Sequence, residues 1–586
     1  MNSIINNKYI HYFGILIAAI LFILPAFIRG PGGADIVYHA VWAQNFSKQF
    51  WNGEFYPRWL INMDTGAGSP TFFFYPPVAY YFASVFKFTQ GGVLAIWNPI
   101  CFTYFSSIII GGIFCYKWLN LAIGDRFSAF CGALVYFFLP YSVFSLYASL
   151  AFSEFFVFAW LPGLLYYTTM LANGKRRAVV GYAVCFALLI MSTIPGTIVA
   201  GGLPVLYFLF YAKGNYKKNI IPLTTAIFLG IGLSAVFWLP MFFDRINVRV
   251  GTTNEMWSYQ SGFRYSENFQ FFPDFSNKKF NFLEYIMIHA VIDIILCFLS
   301  YRIIKKISNG IPEKKHAIFW FFIILLALFM TSELSKPIWE IFPILQVIQF
   351  PSRFNSYFSF AFSAIIAVFF IHQKNQKNLK GEFIWFLSCL AVIYILSFSI
   401  SFSKSHDFST IYDESKLKEN SSDDDFQRII KGQFRLYLKE VVLTQTYLPI
   451  WVNKDLLSLD NLDKFSEITA MKTRVLNGDA KVVVDKWQPR DIVLSTKSKK
   501  DSLLQIGQFY YPYWRAVDDS GVEYKITPEE NTGLINFNIP AGRHKIHLYL
   551  DKSPNERYGQ YISLFSLILT CGYSLLLFVF RKRSFV

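Results

Sequence analysis

The feature that most constrains this chain is a succession of long apolar runs. Each run approaches the roughly 20 residues that an α-helix needs to cross a bilayer. Of the 586 residues, 54% are hydrophobic and 16% are charged, whereas a typical soluble domain carries about 25% charged residues. A soluble core could not bury this much apolar surface, so the pattern predicts an α-helical polytopic membrane protein. About twelve runs lie at 10–28, 93–116, 127–147, 154–172, 178–194, 197–212, 219–243, 284–304, 316–334, 355–372, 383–403 and 560–580.

The charge of the chain is unevenly distributed. Residues 404–558 contain 23 basic and 23 acidic side chains, so the rest of the chain carries the whole net charge of +16. Basic residues there cluster in alternate loops beside apolar runs, as the positive-inside rule describes. This distribution argues against nucleic-acid binding and predicts that both termini are cytoplasmic. The clusters lie within 175–177, 213–218, 302–315, 374–380 and 581–583.

Polar segments between the runs suggest the domain organisation. The predicted external loops 29–92 and 244–281 belong to a transmembrane module at 1–403, and a large external domain at 404–558 precedes a last helix and basic tail at 559–586. From about 475 to 555, β-rich alternating segments separated by turns predict a β-sandwich. The seven cysteines all fall in predicted spans, so we expect no disulfide in the external domain.

Acidic residues near the predicted outer edge of the membrane are candidates for acid–base chemistry. Asp35 follows the first run, Asp64 lies later in the same loop, and Glu154 opens the fourth run. A carboxylate placed there can accept the proton of an acceptor hydroxyl, and such general-base catalysis contributes about 10²- to 10⁴-fold. The commoner role of a single loop aspartate is that of a helix cap or a solvated residue.

Two arginines and an aromatic string are candidate ligand contacts. Arg58 and Arg353 are among the few basic residues predicted outside, and a planar guanidinium can bind a lipid phosphate in a bidentate manner. Interfacial snorkelling is an equally good interpretation of these arginines. The string at 509–514, which contains Tyr513 and Trp514, is interpreted first as packed core and second as a sugar-stacking platform.

His289 and Asp293 lie four residues apart on one face of the eighth run. A charged aspartate at mid-bilayer costs roughly 2.5 to 3.5 kcal/mol, so such residues usually face protein. A neutral hydrogen bond that fixes helix packing is the preferred interpretation, and a proton relay is the alternative. Phosphate-binding glycine loops, H-E-x-x-H and zinc-type Cys/His spacings are all missing from the sequence, which disfavours ATP-driven transport and zinc proteolysis.

Several motifs, in this order, are similar to those of a known family. They are Gly33-Ala34-Asp35-Ile36-Val37-Tyr38-His39, Gly53-Glu54-Phe55-Tyr56-Pro57-Arg58-Trp59, Gly66-Ala67-Gly68-Ser69-Pro70, Phe74-Tyr75-Pro76-Pro77, Ser149-Leu150-Ala151-Phe152-Ser153-Glu154, Gln349-Phe350-Pro351-Ser352-Arg353-Phe354, Tyr510-Tyr511-Pro512-Tyr513-Trp514 and Pro540-Ala541-Gly542. The chain resembles the bacterial integral membrane proteins labelled YfhO-like or pyruvoyl-tetrahydropterin-synthase-related. It departs from them at Ser352, where an aromatic residue is expected.

These proteins in turn resemble the GT-C superfamily of polytopic glycosyltransferases, which take a sugar from a polyprenyl phosphate and invert its anomeric centre. The resemblance implies that Asp35 is the base and that Glu154 matches a second acidic residue, which we expect to be an auxiliary catalytic acid that orients the acceptor or the base. It also implies that Arg353 or Arg58 holds the donor phosphate, in a substrate region that includes Tyr38, His39, Asp64 and Gln349. Because the first loop has no clear D-x-D, we expect no metal, although some members of the superfamily use one, and no other cofactor.

The expected function is therefore transfer of one sugar from a polyprenyl-phosphate donor to a cell-envelope glycan or protein. The reaction is expected on the periplasmic face of the bacterial inner membrane, with the large domain periplasmic and the lipid bilayer as a partner. The alternative is a transporter or flippase of a lipid-linked glycan that uses His289 and Asp293 as a proton relay. A third interpretation is a non-catalytic envelope scaffold.

Overall fold

The structure is a computed structural model of the full chain. It describes residues 7–29, 31, 35–85, 92–149, 151–212, 216–249, 259, 263, 282–307, 311–375, 379–405, 447–453 and 459–583. Most of the predicted second loop, 244–281, and most of the segment 404–470 lie outside the described residues.

Helices dominate the described chain. They are α1 Lys8–Arg29, α2 Ile36–Trp51, α3 Thr71–Phe74, α4 Val78–Val85, α5 Gly92–Ile123, α6 Arg126–Phe138, α7 Pro140–Tyr147, α8 Val157–Ala172, α9 Ala178–Ile190, α10 Ile194–Tyr211, α11 Tyr216–Leu233, α12 Ala235–Phe243, α13 Phe282–Lys306, α14 Pro312–Thr331, α15 Lys336–Ile341, α16 Pro343–Gln346, α17 Asn355–Asn375, α18 Leu379–Ser405, α19 Leu459–Ala470 and α20 Pro554–Arg583. Short 3₁₀ turns include Asp64–Gly66, Glu154–Phe156 and Pro351–Phe354.

Fewer helices qualify as candidate membrane spans than the sequence has long apolar runs. Among the described residues, eight helices are long and apolar enough to cross a membrane, or ten if each of two bent pairs counts as one span. Eight to ten candidate spans agree with a polytopic membrane protein, and the figure of about twelve stays a prediction. The two remaining predicted runs are also helical, as α13 and as α9, which has only 13 residues.

Local chemistry explains the two bends. α6 and α7 meet at 42°, and Leu139 between them is extended because it precedes Pro140. α11 and α12 meet at 65°, where the hydroxyl of Ser234 donates to the carbonyls of Gly230 and Ile231. This hydroxyl competes with backbone donors for those carbonyls, which is a recognised cause of helix bending.

The centre of the helical part is formed by α8 and α17. In each of these two spans 89% of the residues are buried inside the protein, against 11% in α20 at the periphery. Glycines let the central helices approach closely, as small residues do in membrane bundles. A Cβ on Gly111 of α5 would lie 2.2 Å from the carbonyl oxygen of Phe158 in α8, and one on Gly132 of α6 would lie 2.7 Å from that of Ser363 in α17.

The C-terminal part is β-rich, as the alternating pattern predicted. Outside it, β1 Val248–Arg249 pairs with β2 Leu448–Pro449. Its strands are β3 Thr473–Asn477, β4 Lys481–Gln488, β5 Asp491–Ser498, β6 Ser502–Phe509, β7 Trp514–Asp518, β8 Glu523–Tyr524, β9 Thr527–Pro528, β10 Leu534–Ile539 and β11 Gly542–Leu550. They form antiparallel sheets of order β3-β6-β10-β9 and β4-β5-β11-β7-β8. Apolar residues of both sheets belong to one buried cluster, which includes Leu494, Leu504, Leu534 and Leu548.

The first loop packs against this β-rich part. Trp59, Ala67 and Phe73 share its buried cluster. The Trp59 indole donates to Oε1 of Gln508 at 2.9 Å, and Nε2 of Gln508 donates to the carbonyl of Gly66 at 2.6 Å. These bonds join segments more than 400 residues apart and fix the loop that follows α2.

Candidate active site

Three charged side chains from distant parts of the sequence lie near one another at one end of the helical part. Asp35 is the residue before α2, Glu154 opens the turn that leads into α8, and Arg353 lies in the turn that leads into α17. The guanidinium Nε of Arg353 donates to Oε2 of Glu154 at 2.6 Å. Asp35 is close enough to Arg353 for the cation to lower the pKa of its carboxyl group.

The ion pair of Glu154 and Arg353 is held by further contacts. The hydroxyl of Tyr141 donates to Oε1 of Glu154 at 2.7 Å. A terminal nitrogen of Arg353 donates to the carbonyl of Ile348, and the guanidinium lies 5.2 Å from the ring centre of Phe350. The side chains of the pair are 14% and 16% exposed. Arg353 is thus oriented while part of its surface faces a small recess.

The carboxyl group of Asp35 is not used as a helix cap. Asp35 occupies the N-cap position of α2, but its side chain makes no capping hydrogen bond. Desolvation by the surrounding protein raises its pKa to about 6, and the attraction of Arg353 partly opposes that rise. The side chain of Asp35 still has an exposed surface. Its carboxyl group is therefore surrounded by protein but can be reached from solvent. A carboxylate of this kind is suited to accept a proton.

His39 lies one helical turn after Asp35 and is buried. Its Nδ1 is hydrogen-bonded to the hydroxyl oxygen of Tyr80 at 2.7 Å. Burial lowers the pKa of His39 to about 3, so the ring is neutral near pH 7. A neutral imidazole contributes a hydrogen bond here but no charge for a phosphate.

Aromatic rings form a wall around these groups. The ring of Tyr75 lies 4.9 Å from that of Trp42 and 6.3 Å from that of Tyr447, and His39 lies 5.5 Å from Phe152. Tyr38, another predicted contact, is half-buried with its ring 6.3 Å from Trp42. Sequence reasoning did not assign Tyr141 or Tyr447 to the site. Nothing in the local pattern marks them, because their positions depend on how distant segments pack.

The contacts of Arg58 differ from those predicted for a phosphate ligand. Its side chain is 1% exposed, and its Nε lies 3.5 Å from Oε1 of Glu556. Arg490 donates to both oxygens of the same carboxylate at 3.0 and 3.2 Å. Arg58 also donates to the carbonyl of Val236 at 2.6 Å. Arg58 is therefore buried and paired with Glu556, and it joins the first loop to α20. Of the two predicted phosphate-binding arginines, Arg353 is the one near Asp35.

The remaining predicted contacts occupy two places. Asp64 is half-buried in the turn whose next residue, Thr65, accepts a hydrogen bond from Thr469 of α19. Burial raises the pKa of Asp64 to about 7. Gln349 is exposed, with a positive φ of 68°, four residues before Arg353. The structure therefore places Gln349 beside the Arg353 turn and Asp64 against the β-rich part.

The aromatic string of the β-rich part is mainly packed inward. Trp514 is 5% exposed and its ring lies 5.8 Å from that of Trp59. Tyr511 is 1% exposed and also contacts Trp59. Tyr513 is half-buried. This arrangement agrees with the preferred interpretation of packed core and leaves little of Trp514 for stacking on a sugar.

His289 and Asp293 are both buried in α13, at 2% and 3% exposure. The His289 ring packs 5.8 Å from Phe144 of α7. Burial between helices fits both a hydrogen bond that fixes helix packing and a proton relay, so the preferred interpretation stays a prediction. The proton relay stays an untested alternative.

No three His, Cys, Asp or Glu side chains within the described ranges are grouped so that they could hold a metal ion. The expectation of metal-independent chemistry stays a prediction.

Comparison with known protein families identifies a match. The sequence model of a family described as 6-pyruvoyl-tetrahydropterin synthase related domain, a membrane protein, matches residues 72–409. The matched region contains Glu154 and Arg353 and begins after Asp35. No curated protein matches the chain significantly.

Proposed function

Because this chain belongs to the 6-pyruvoyl-tetrahydropterin synthase related family of membrane proteins, we propose that it is a glycosyltransferase of the GT-C type. It transfers one sugar from a polyprenyl-phosphate donor to a cell-envelope glycan or protein, with inversion. The observation that carries this proposal is that Asp35 lies within electrostatic range of the Glu154–Arg353 ion pair. The three residues combine an available carboxylate with an oriented cation, which is what such a transfer requires.

Asp35 is the base in this reaction. The acceptor hydroxyl oxygen attacks the anomeric carbon, the bond from that carbon to the phosphate oxygen breaks, and Asp35 takes the hydroxyl proton. The polyprenyl phosphate departs with the bonding electrons. Its growing negative charge is stabilised by the remaining N–H groups of Arg353, since a preorganised cation at a developing charge lowers the barrier.

Glu154 acts as a positioning residue. Its carboxylate holds Nε of Arg353 and is itself held by Tyr141. A guanidinium fixed in this way loses little side-chain entropy when a phosphate binds. Glu154 is therefore expected to affect donor binding through Arg353 rather than to exchange a proton with substrate.

The same proposal assigns the site to the periplasmic face of a bacterial inner membrane. The support is the distribution of basic loops, which places the loop of Asp35 opposite the basic clusters. The lipid chain of a polyprenyl-phosphate donor stays in the membrane, so its phosphate lies at the membrane surface. Asp35 follows one candidate span and Glu154 begins another, so both are expected at that depth.

The test has two stages. Mass spectrometry of envelope polysaccharides, lipids and glycoproteins from cells with and without the gene identifies the missing sugar. Transfer of that sugar is then measured for Asp35→Asn and for the matched control Asp519→Asn, whose side chain is exposed in the β-rich part. We expect Asp35→Asn to lose about 10²- to 10⁴-fold of the rate at unchanged expression, and the control to keep it.

Equal transfer by the two variants would refute Asp35 as the base. Asp293→Asn separates the enzyme from the alternative transporter. In the enzyme this change affects at most stability, whereas a proton relay through Asp293 predicts loss of glycan export from a protein that still folds.

A further inference from the structure

A large cavity lies at the end of the helical part opposite Asp35. Its volume is about 780 Å³. α8 begins next to Glu154 and ends at Ala172, which lines the cavity. At ~1.5 Å per residue, the 16 residues of this helix separate the two places by about 24 Å. The cavity is therefore distinct from the candidate active site.

The cavity has an excess of positive charge. Arg176, Lys218 and Lys315 line it, and Glu313 is the single acidic residue among its lining residues. None of the three cations forms an ion pair with another residue in the ranges that the structure describes. Grouped cations that outnumber the acidic side chains beside them attract anions, and all three of these cations are exposed, so an incoming ligand can reach them.

The rest of the lining is part polar and part apolar. Asn219 is buried at the cavity and donates to the carbonyl of Ala172 at 3.0 Å. Ile123, Phe210 and Tyr211 supply apolar and aromatic wall. A ligand with a charged head and an apolar body would satisfy both kinds of surface at once, whereas a small inorganic anion would contact only the cations.

We propose that this cavity binds the phosphate headgroup of an anionic membrane lipid. Its three cations belong to basic clusters that the charge pattern assigns to the cytoplasmic side, where anionic headgroups meet basic pockets between transmembrane helices. The phosphate lies among Arg176, Lys218 and Lys315, and the start of the acyl chains lies along Phe210 and Ile123. The site does not depend on the proposed sugar transfer.

The test measures lipid binding to the purified full-length chain in detergent. Native mass spectrometry counts bound phosphatidylglycerol during a titration, with phosphatidylcholine as the neutral lipid. The cavity variant is R176Q/K218Q/K315Q. The matched control is R302Q/K305Q/K306Q, which removes three exposed cations at the end of α13 outside the cavity lining.

The wild type and the control should bind phosphatidylglycerol with similar affinity. The cavity variant should bind about a hundredfold more weakly, since each basic residue near an anionic surface contributes about fivefold. The single change K218Q, at an exposed position, should weaken binding about fivefold, so the result does not rest on the triple variant alone.

Two results would overturn the proposal. One is a cavity variant that keeps the affinity of the control. The other is binding of inorganic phosphate that depends on the same three cations and excludes phosphatidylglycerol, because the ligand would then be a soluble phosphate and not a lipid headgroup.

Discussion

Replacing Glu556 by glutamine tests whether Arg58 is a structural residue. Glu556 and Arg58 are 2% and 1% exposed, and the same carboxylate also binds Arg490. The substitution keeps the size of the side chain but removes its charge, so two partly or fully buried guanidinium groups lose a counter-charge that they share. Breaking a buried ion pair by removing one partner costs about 3 to 5 kcal/mol. We therefore expect E556Q to lower the free energy of unfolding by at least about 3 kcal/mol.

The matched control is E523Q. Glu523 pairs with Arg515 at 2.7 Å, but these side chains are 52% and 49% exposed. An exposed pair contributes about 0 to 1 kcal/mol, so the same chemical change should have little effect there. R58Q should cost less than E556Q, because Glu556 would keep Arg490 and no charge would be left buried without a partner.

Unfolding in a detergent titration, followed by tryptophan fluorescence, measures these differences. Trp59 and Trp514 lie 5.8 Å apart where the first loop meets the β-rich part, so their emission reports separation of these two surfaces. Equal unfolding midpoints for E556Q and E523Q would show that Glu556 does not neutralise Arg58. Arg58 would then return as a candidate phosphate ligand.

Three further predictions concern the site and the first loop. Since the pKa of Asp35 is raised to about 6 and the base must be ionised, transfer should rise with pH through about 6 and fall to about a tenth of its plateau at pH 5. A pH profile of kcat/KM with its midpoint near pH 4 would contradict this. His39→Gln should leave the midpoint of the profile unchanged, because the His39 ring is already neutral. Glu154→Gln should raise KM for the donor more than it lowers kcat, with transfer kinetics at varied donor concentration as the measurement; a fall in kcat alone would contradict the positioning role. Gly68→Ala should lower the free energy of unfolding by about 1 to 3 kcal/mol, because φ at this position is +83° and the new Cβ would lie 2.5 Å from Nε1 of Trp59. The control is Gly572→Ala, whose new Cβ would have no atom within 4 Å. It should change stability little in the same detergent titration.

The sequence was informative wherever structure follows from a local period. Apolar runs predicted the helices, and alternation predicted the β-rich region that begins at Thr473. Local signals also explain why the number of candidate spans differs from the number of apolar runs. Pro140 divides one apolar run into α6 and α7, and composition averaged over a window does not register such a break. α9 shows the same limit, because its run is apolar but its helix is short.

The candidate site was predicted only in part. The sequence and the resemblance singled out Asp35, Glu154 and Arg353, yet nothing local shows that they are neighbours. Arg58 and Arg353 were equal candidates for the phosphate, since both are arginines beside aromatic residues in predicted external loops. The carboxylate of Glu556, near the other end of the chain, makes the difference between them.

The sequence by itself determined that this is a membrane protein, because long apolar helices with few charges are stable only in lipid or packed against one another. It also singled out the residues for which a catalytic or binding role is proposed. Tertiary packing alone decided which of those residues meet. A carboxylate or a guanidinium has the same local sequence whether it faces a partner or a recess, and its electrostatic surroundings come from segments hundreds of residues away.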